Sequence, residues 1–160
     1  SCIESVERER TQMLKITLEV AKVLIHAAEL RARELGIAEV IAIVDDGGNF
    51  VASHRMDHAW LASVDIALNK AWTAVALKMP TANLAPLAVP NGELYGINTT
   101  NHGRVVVFGG GIPLAYEGRI VGAVGASGST VANDMEVAKA AVRAYATYPK
   151  ARIGSSGGLL

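Results

Sequence analysis

The apolar run at 120–126, which follows a two-residue turn at Glu117-Gly118, constrains the fold more than any other feature of the chain. A short turn between two apolar runs predicts a β-hairpin. Because every residue of the run is apolar, both faces of this strand should be buried, which places it in the middle of its sheet. One face carries only the small residues Val121, Ala123 and Gly125. A helix can therefore lie close to the backbone on that face.

Three consecutive glycines, Gly109, Gly110 and Gly111, precede this hairpin, and Pro113 follows them. Glycine permits positive φ and close approach of the backbone, and proline fixes φ where the strand begins. The sequence offers no packing reason for three glycines. The stretch is interpreted either as a tight corner or as a backbone wall against a flat or bulky ligand. In the second case Gly110, Gly111 and Pro113 are ligand-binding residues.

A second hairpin is predicted earlier in the chain. The apolar strand at 40–45 is followed by Asp46-Gly47-Gly48-Asn49 and by a returning strand at 50–54. A turn of four residues joins antiparallel neighbours, whereas a parallel crossover needs a dozen residues or more. The sheet is therefore not a Rossmann sheet, and the glycines also lack the strand–Gly-x-Gly-x-x-Gly–helix context of a dinucleotide site. Asp45 is expected to shape this turn.

Three helices are predicted from apolar residues at helical spacing. The first covers 5–35. The second is capped by Asp57 and ends at Pro80, and the third begins at an N-cap at Asn133 and stops at Pro149. Each helix has an apolar face that must pack against the sheet.

Residues 80–103 are rich in Pro, Asn, Gly and Thr and predict a long loop, which leads into a short strand at 105–108. The predicted order is helix, hairpin, helix, strand, hairpin, helix. This order is typical of an α+β protein with an antiparallel sheet flanked by helices. A single domain is expected over 1–148, with a flexible tail at 149–160.

Composition narrows the function classes. The chain has 160 residues, 51% of them hydrophobic, with 15 acidic and 15 basic residues and a pI near 6.9. Balanced charge argues against nucleic acid and against an anionic membrane surface as partners, and it gives little protection against self-association. Cys2 is the single cysteine, so no intrachain disulfide can form. No apolar run reaches the length of a membrane span and no signal-peptide pattern is present, so a cytoplasmic location is expected.

Several side chains that could carry chemistry cluster at the mouth of the first hairpin. His54, Asp57 and His58 come close together in sequence, and a histidine beside a carboxylate can act as a general base, as an axial metal ligand or as an ordinary surface pair. If the protein is an enzyme, His58 and Asp57 are the candidate catalytic groups, joined by His102 on the long loop. His54 and Arg55 are candidate ligand-binding residues.

Arg55 and Lys70 are candidates for binding an anionic group such as a carboxylate or a propionate. Lys70 is expected to lie off the apolar face of its helix. The alternative is a structural ion pair with Asp57, Asp45 or Asp65. No spacing of histidine, cysteine or acidic residues indicates a metal site.

Four blocks of sequence resemble a known family, and the resemblance extends over roughly residues 12–145. The chain resembles the GlcG/HbpS-like family, whose domain also forms the C-terminal part of PduO-type corrinoid adenosyltransferases. The blocks are Ile43-Val-Asp-Asp-Gly-Gly-Asn49, His54-Arg-Met-Asp57, Ala67-Leu-Asn-Lys-Ala-Trp-Thr-Ala74, and Phe108-Gly-Gly-Gly-Ile-Pro-Leu114 with the following Gly118 to Gly128.

The resemblance implies a profilin-like fold with a five-stranded antiparallel sheet and assembly into dimers, tetramers or octamers. It also implies haem as a cofactor to test, because some members bind it. The chain departs from the family pattern after Asp57, where a small residue is common and His58 stands here. No histidine is carried over as a haem ligand, because none belongs to a motif tied to ligation.

The sequence thus favours an oligomeric protein that binds a small ligand such as haem or another tetrapyrrole. The alternative is a cofactor-independent enzyme that acts on a small catabolic metabolite by His/Asp acid–base chemistry. A third hypothesis is a structural subunit without a pocket. Whether the protein is an enzyme stays open at this point.

Overall fold

A computed structural model of the protein describes residues 1–13 and 15–149, without the side chains of 9–13. The predicted tail at 149–160 thus lies outside the described residues except for Pro149. Short 3₁₀ turns occupy parts of the connection between the third helix and the third strand. The helices and strands are α1 (Cys2–Met13), α2 (Leu18–Glu34), β1 (Val40–Asp45), β2 (Phe50–Arg55), α3 (Leu61–Leu77), β3 (Gly111–Tyr116), β4 (Arg119–Ser127) and α4 (Val131–Thr147).

The strands form one antiparallel sheet in the order β2-β1-β4-β3. β4 lies between β1 and β3, so the predicted central position of the 120–126 run is confirmed, and so is the α+β class. The described residues contain four strands rather than five. The expected strand at 105–108 is wrong, because Thr73 of α3 holds this segment instead. The Thr73 hydroxyl donates to Arg104 O (3.2 Å) and accepts from the Val106 amide (3.1 Å).

Helices cover both faces of the sheet. Residues of α2 and α4 pack with Ile41, Ile43 and Val124 on one face. α3 packs on the other face against the small and branched residues of β1 and β4. A Cβ atom at Gly125 would overlap the carbonyl oxygen of Ala67, so the predicted close approach of a helix to this face is confirmed. Within the described residues, no helix is both long and apolar enough to cross a bilayer.

The first predicted helix, 5–35, is two helices in the structure. The hydroxyl of Thr17 accepts a hydrogen bond from the Val20 amide (3.2 Å) and caps a new helix, α2. Threonine favours the N-cap because its oxygen satisfies an amide that has no partner within the helix. This capping interaction, which apolar periodicity does not reveal, begins a second helix inside the predicted one.

Two other predicted caps are also wrong. α3 begins at Leu61 rather than at Asp57, because a turn at 56–59 intervenes, in which the Ala59 amide donates to Met56 O (3.0 Å). α4 is capped by Thr130, whose hydroxyl accepts from the Asn133 amide (3.2 Å). The start of α4 at Val131 places Asp134 inside the helix.

Both predicted hairpin turns are confirmed. Glu117 and Gly118 have φ of +48° and +76°, the left-handed values that a two-residue hairpin turn of type I′ requires. In the first hairpin, Oδ1 of Asp45 accepts from the amides of Gly47 and Asn49, both at 2.9 Å. Asp45 therefore shapes its turn, as expected from the sequence.

Candidate functional site

Close packing against two helices explains the three glycines before β3. A Cβ atom at Gly109 would lie 2.6 Å from Sδ of Met135 in α4. A Cβ atom at Gly110 would lie 2.6 Å from Nζ of Lys70 in α3, and one at Gly111 would overlap the Lys70 carbonyl oxygen. The expectation that no packing argument needs three glycines is therefore wrong. The reason is that α3 and α4 both meet the bend, which local sequence does not show.

The bend also forms one wall of a cleft of about 410 Å³ between the 80–84 turn, β3 and α4. Gly110 and Gly111 line this cleft through their backbone, while the positions of their absent Cβ atoms face Lys70. We call it the apolar cleft. Two exposed cationic side chains of α4, Lys139 and Arg143, also line it. The remaining lining residues are Pro80, Ala82, Asn83, Ile112, Met135 and Val142.

The two cations of the apolar cleft differ in their partners. Nζ of Lys139 lies 3.7 Å from Oε1 of Glu136, one turn away on the same helix. No carboxylate of the described residues lies within 4.0 Å of Arg143. Arg143 is therefore available to an anionic ligand, and Lys139 is held only by an exposed pair, which contributes little stability.

A buried ion pair lies directly behind the glycine bend. Nζ of Lys70 donates to Oδ2 of Asp134 at 2.9 Å and to Ala126 O at 2.8 Å, and it lies 5.0 Å from the centre of the Phe108 ring. The Lys70 side chain is fully buried, and burial lowers its pKa while Asp134 opposes that shift. The sequence placed Lys70 off the apolar face of α3, either as an anion-binding group or in a structural ion pair with Asp57, Asp45 or Asp65. The structure shows a buried ion pair, but its partner is Asp134 of α4.

A second buried carboxyl group, Glu39, lies beside this pair. Neither side-chain oxygen of Glu39 accepts a hydrogen bond within the described part of the chain, and a Cβ atom at Gly128 would lie 2.6 Å from its Oε2. Burial raises the pKa of Glu39 to about 9, helped by Asp134 and opposed by Lys70. One lysine balances one of the two carboxylates, so Glu39 keeps its proton at neutral pH.

Substituting Glu39→Gln should remove part of the pH dependence of stability. Between the ordinary glutamate pKa of 4.5 and the folded value of about 9, folded Glu39 holds a proton that the unfolded chain has released. The wild-type free energy of unfolding should therefore fall relative to the variant as pH rises from 5 to 9, by at most about 1.4 kcal/mol per pH unit. Urea denaturation at several pH values measures this difference. Exposed Glu93→Gln is the control, and equal slopes for Glu39→Gln and wild type would contradict the assignment.

The predicted residues at the first hairpin divide between two adjoining clefts. His54, Arg55 and Asp57 line a cleft of about 510 Å³, which we call the polar cleft. Arg55 and Asp57 also line a neighbouring cleft of about 420 Å³ together with His58. His102 lies in the connection between α3 and β3 and lines neither of them. The structure therefore brings Asp57 and His58 to one cleft without His102.

Pro113 lies within β3 opposite Ala123 and is not among the residues that line these clefts. Of the three predicted wall residues, Gly110 and Gly111 line the apolar cleft. Pro113 is the third residue of β3 and is not part of the wall.

Sequence reasoning missed the partner of His54. Nδ1 of His54 lies 2.6 Å from Oε1 of Glu29 on α2. The carboxylate of Glu29 also lies 3.8 Å from the guanidinium of Arg33, one turn further along the same helix. The spacing of Glu29 and Arg33 is visible in the sequence, but their position against β2 is not, because it depends on how α2 packs on the sheet.

Sequence reasoning also missed the cations of the apolar cleft and the carboxyl groups behind the bend. Lys139 and Arg143 are four residues apart on a predicted helix. This spacing places both cations on one face of the helix, so the sequence did indicate the pair. Asp134 directly follows the predicted N-cap Asn133, and nothing in the local sequence indicates that it is buried. Glu39 has no local signature, because only the packing of α3 and α4 against the sheet shows it to be buried.

Comparison with known proteins places the chain in a family. A family model described as haem degrading protein HbpS-like matches residues 16–143. The chain belongs to the HbpS-like family. This match spans all the strands and clefts described above, so the resemblance predicted from the four sequence blocks is confirmed.

Relatives of this HbpS-like chain include free-standing and fused domains. A Citrobacter freundii protein described as an uncharacterised 15.0 kDa protein in the dhaT-dhaS intergenic region is 42% identical, over 84% of this chain and 94% of its own length. The corrinoid adenosyltransferase PduO of the same organism is 40% identical over 84% of this chain, which spans only 40% of the length of PduO.

Solved structures show the same fold. The crystal structure of a PduOC:heme complex matches with a TM-score of 0.78 and 38% identity, over 81% of this chain and 94% of that one. A crystal structure of Streptomyces reticuli HbpS, a double mutant, matches with a TM-score of 0.73 and 29% identity, over 81% of this chain and 86% of that one. This HbpS-like chain therefore has relatives whose structures are described as HbpS or as a complex with haem.

Proposed function

We propose that this HbpS-like protein binds haem or another tetrapyrrole in the apolar cleft. The observation that carries the proposal is an apolar cleft lined by the Gly110-Gly111 backbone and by two cations. Tetrapyrroles are flat apolar rings that carry carboxylate groups, so a cleft that offers apolar contact together with cations suits them. The related PduOC:heme complex supports this class of ligand.

The side chains of the apolar cleft fit such a ligand. Ile112, Met135 and Val142 supply apolar contact for the ring, as is usual in small-molecule sites. Lys139 and Arg143 would bind the propionate groups, and the guanidinium can do so with two parallel hydrogen bonds. Bound haem would bring an iron atom, and the thioether of Met135 is a group of the kind that ligates haem iron.

The first experiment is a titration of the purified protein with haem, followed by absorption spectroscopy and native mass spectrometry. We expect a shifted Soret band that saturates at a fixed haem-to-chain ratio. Substituting Lys139→Gln and Arg143→Gln together should weaken haem affinity about thirtyfold, because each lost charged hydrogen bond costs roughly 1 kcal/mol at an exposed position.

The control for this double variant is Lys22→Gln with Arg119→Gln, which removes the same charge from two exposed positions outside the cleft. Its haem affinity should match that of the wild type. Absorption that rises linearly with added haem would contradict the proposal. Equal affinities of the two double variants would show that haem binds elsewhere.

Self-association, from dimer to octamer, is a second part of the proposal. Support comes from exposed apolar side chains at the start of α3, where Trp60, Leu61 and Val64 face solvent. Contiguous exposed apolar groups are typical of interaction surfaces. Native mass spectrometry of the haem-free protein measures the assembly, and a strictly monomeric protein at micromolar concentration would contradict this part.

A further inference from the structure

We propose that the polar cleft is a second ligand site, which binds a small oxyanion, a carboxylate or a phosphate, through Arg55, Arg33 and His54. β2 and β3 are the two edge strands of the sheet. The polar cleft is built on β2 and α2, whereas the apolar cleft is built on β3 and α4. The two sites are therefore separate, and this inference does not depend on haem binding.

The orientation of His54 is set by Glu29. The His54 Nδ1 to Glu29 Oε1 distance of 2.6 Å is that of a short charge-assisted hydrogen bond, in which the ring N–H donates to the carboxylate. The Glu29 side chain is only 14% exposed, whereas that of His54 is 56% exposed. Because Glu29 occupies Nδ1, Nε2 is the ring nitrogen left for a ligand, and it donates when the ring is protonated.

Arg55 is a positioned cation without an anionic partner. Its Nε donates to Ala59 O at 3.1 Å, which fixes the side chain across the turn that follows β2. No carboxylate of the described residues lies within 4.0 Å of its guanidinium. The terminal amino groups of Arg55 therefore keep their hydrogen-bonding capacity, and a planar oxyanion can accept two hydrogen bonds from such a group.

The net charge of the polar cleft suits the binding of one anion. Arg33 and Arg55 are opposed by Glu29 and Asp57, so these four groups sum to zero. Protonation of His54 makes the cleft positive by one charge, which a bound oxyanion would neutralise. His58 lies in the adjoining cleft beside Arg55 and Asp57 and is the further titratable group near the site. The volume of about 510 Å³ is within the range of small-molecule sites.

The test is direct observation of His54 by NMR. Long-range ¹H–¹⁵N spectra of the histidine rings are recorded at pH 6.5 while sodium phosphate, or separately sodium acetate, is added at constant ionic strength. The spectrum of His54→Gln assigns the His54 signals. We expect the chemical shifts of the His54 ring to change and reach a plateau as at least one of the two anions is added. Arg55→Gln should weaken the affinity for that anion fivefold or more. Arg119→Gln, an exposed arginine outside both clefts, should leave the anion affinity unchanged.

Each outcome decides the proposal. Saturation by phosphate alone or acetate alone supports the site and names the anion, and saturation by both supports a general oxyanion site. Shifts that stay linear with both anions, or an affinity unaffected by Arg55→Gln, would overturn it. The same spectra report the neutral tautomer, and a proton on Nε2 rather than on Nδ1 of His54 would overturn the role given to Glu29. Because no haem is present, failure here leaves the tetrapyrrole proposal untouched.

Discussion

Lys70→Met should lower the free energy of unfolding by about 3–5 kcal/mol. The substitution keeps the length and most of the volume of the side chain but removes the ammonium group that lies 2.9 Å from Asp134 and 2.8 Å from Ala126 O. Asp134 is then a buried carboxylate without its cation. Leaving one partner of a buried pair uncompensated costs much more than the pair itself contributes.

Urea denaturation at pH 7 measures this loss. Lys22→Met, on the exposed face of α2, is the matched control and should change the free energy of unfolding by less than about 0.5 kcal/mol. Adding Asp134→Asn to Lys70→Met should recover part of the stability, because it removes the stranded charge. A loss below about 1 kcal/mol for Lys70→Met, or strictly additive effects in the double variant, would contradict a charged pair in the core.

Gly125→Ala should destabilise the fold by about 3 kcal/mol, at the upper end of the range for overpacked cores. A Cβ atom here would overlap the Ala67 carbonyl oxygen and lie 2.8 Å from the Ala71 amide nitrogen. Both obstacles are backbone of α3, so the helix as a whole must shift from the sheet. A flexible side chain could move aside at lower cost.

The control is Gly47→Ala, whose Cβ atom would lie 2.7 Å from Nδ2 of the exposed Asn49 side chain. That amide can rotate away, so the expected loss is below about 1 kcal/mol. Denaturant unfolding of both variants tests the comparison. Similar losses at the two positions would show that contact with the α3 backbone is not what requires glycine at 125.

These two predictions concern the same part of the molecule as the proposed tetrapyrrole site. Lys70 of α3 and Met135 of α4 are the neighbours that require glycine in the bend at 109–111, and the Lys70–Asp134 pair joins the two helices. The wall of the apolar cleft is therefore held in place by the buried ion pair behind it. Changes that loosen this pair should also weaken ligand binding, although none of its atoms needs to contact the ligand.

Local sequence was sufficient for the hairpins and for the central strand. The turn at Glu117-Gly118, the Asp45 turn and the buried 120–126 run are encoded by residues next to one another in the chain, because turn chemistry and strand alternation act over a few residues. The predictions from apolar patterns were wrong where a threonine side chain makes a hydrogen bond that such patterns do not show. Thr17 divides the predicted first helix, and Thr73 holds the segment at 105–108 away from the sheet.

The sequence by itself determined the class of fold, the antiparallel sheet and the family. The tertiary structure alone decided which side chains pair with one another and which are buried at the candidate sites. Lys70 and Asp134 are 64 residues apart, and Glu29 and His54 are 25 apart, so their contacts depend on how helices pack on the sheet. A local pattern reports what one residue prefers, whereas burial and charge pairing depend on which distant residues the fold places within a few ångströms of it.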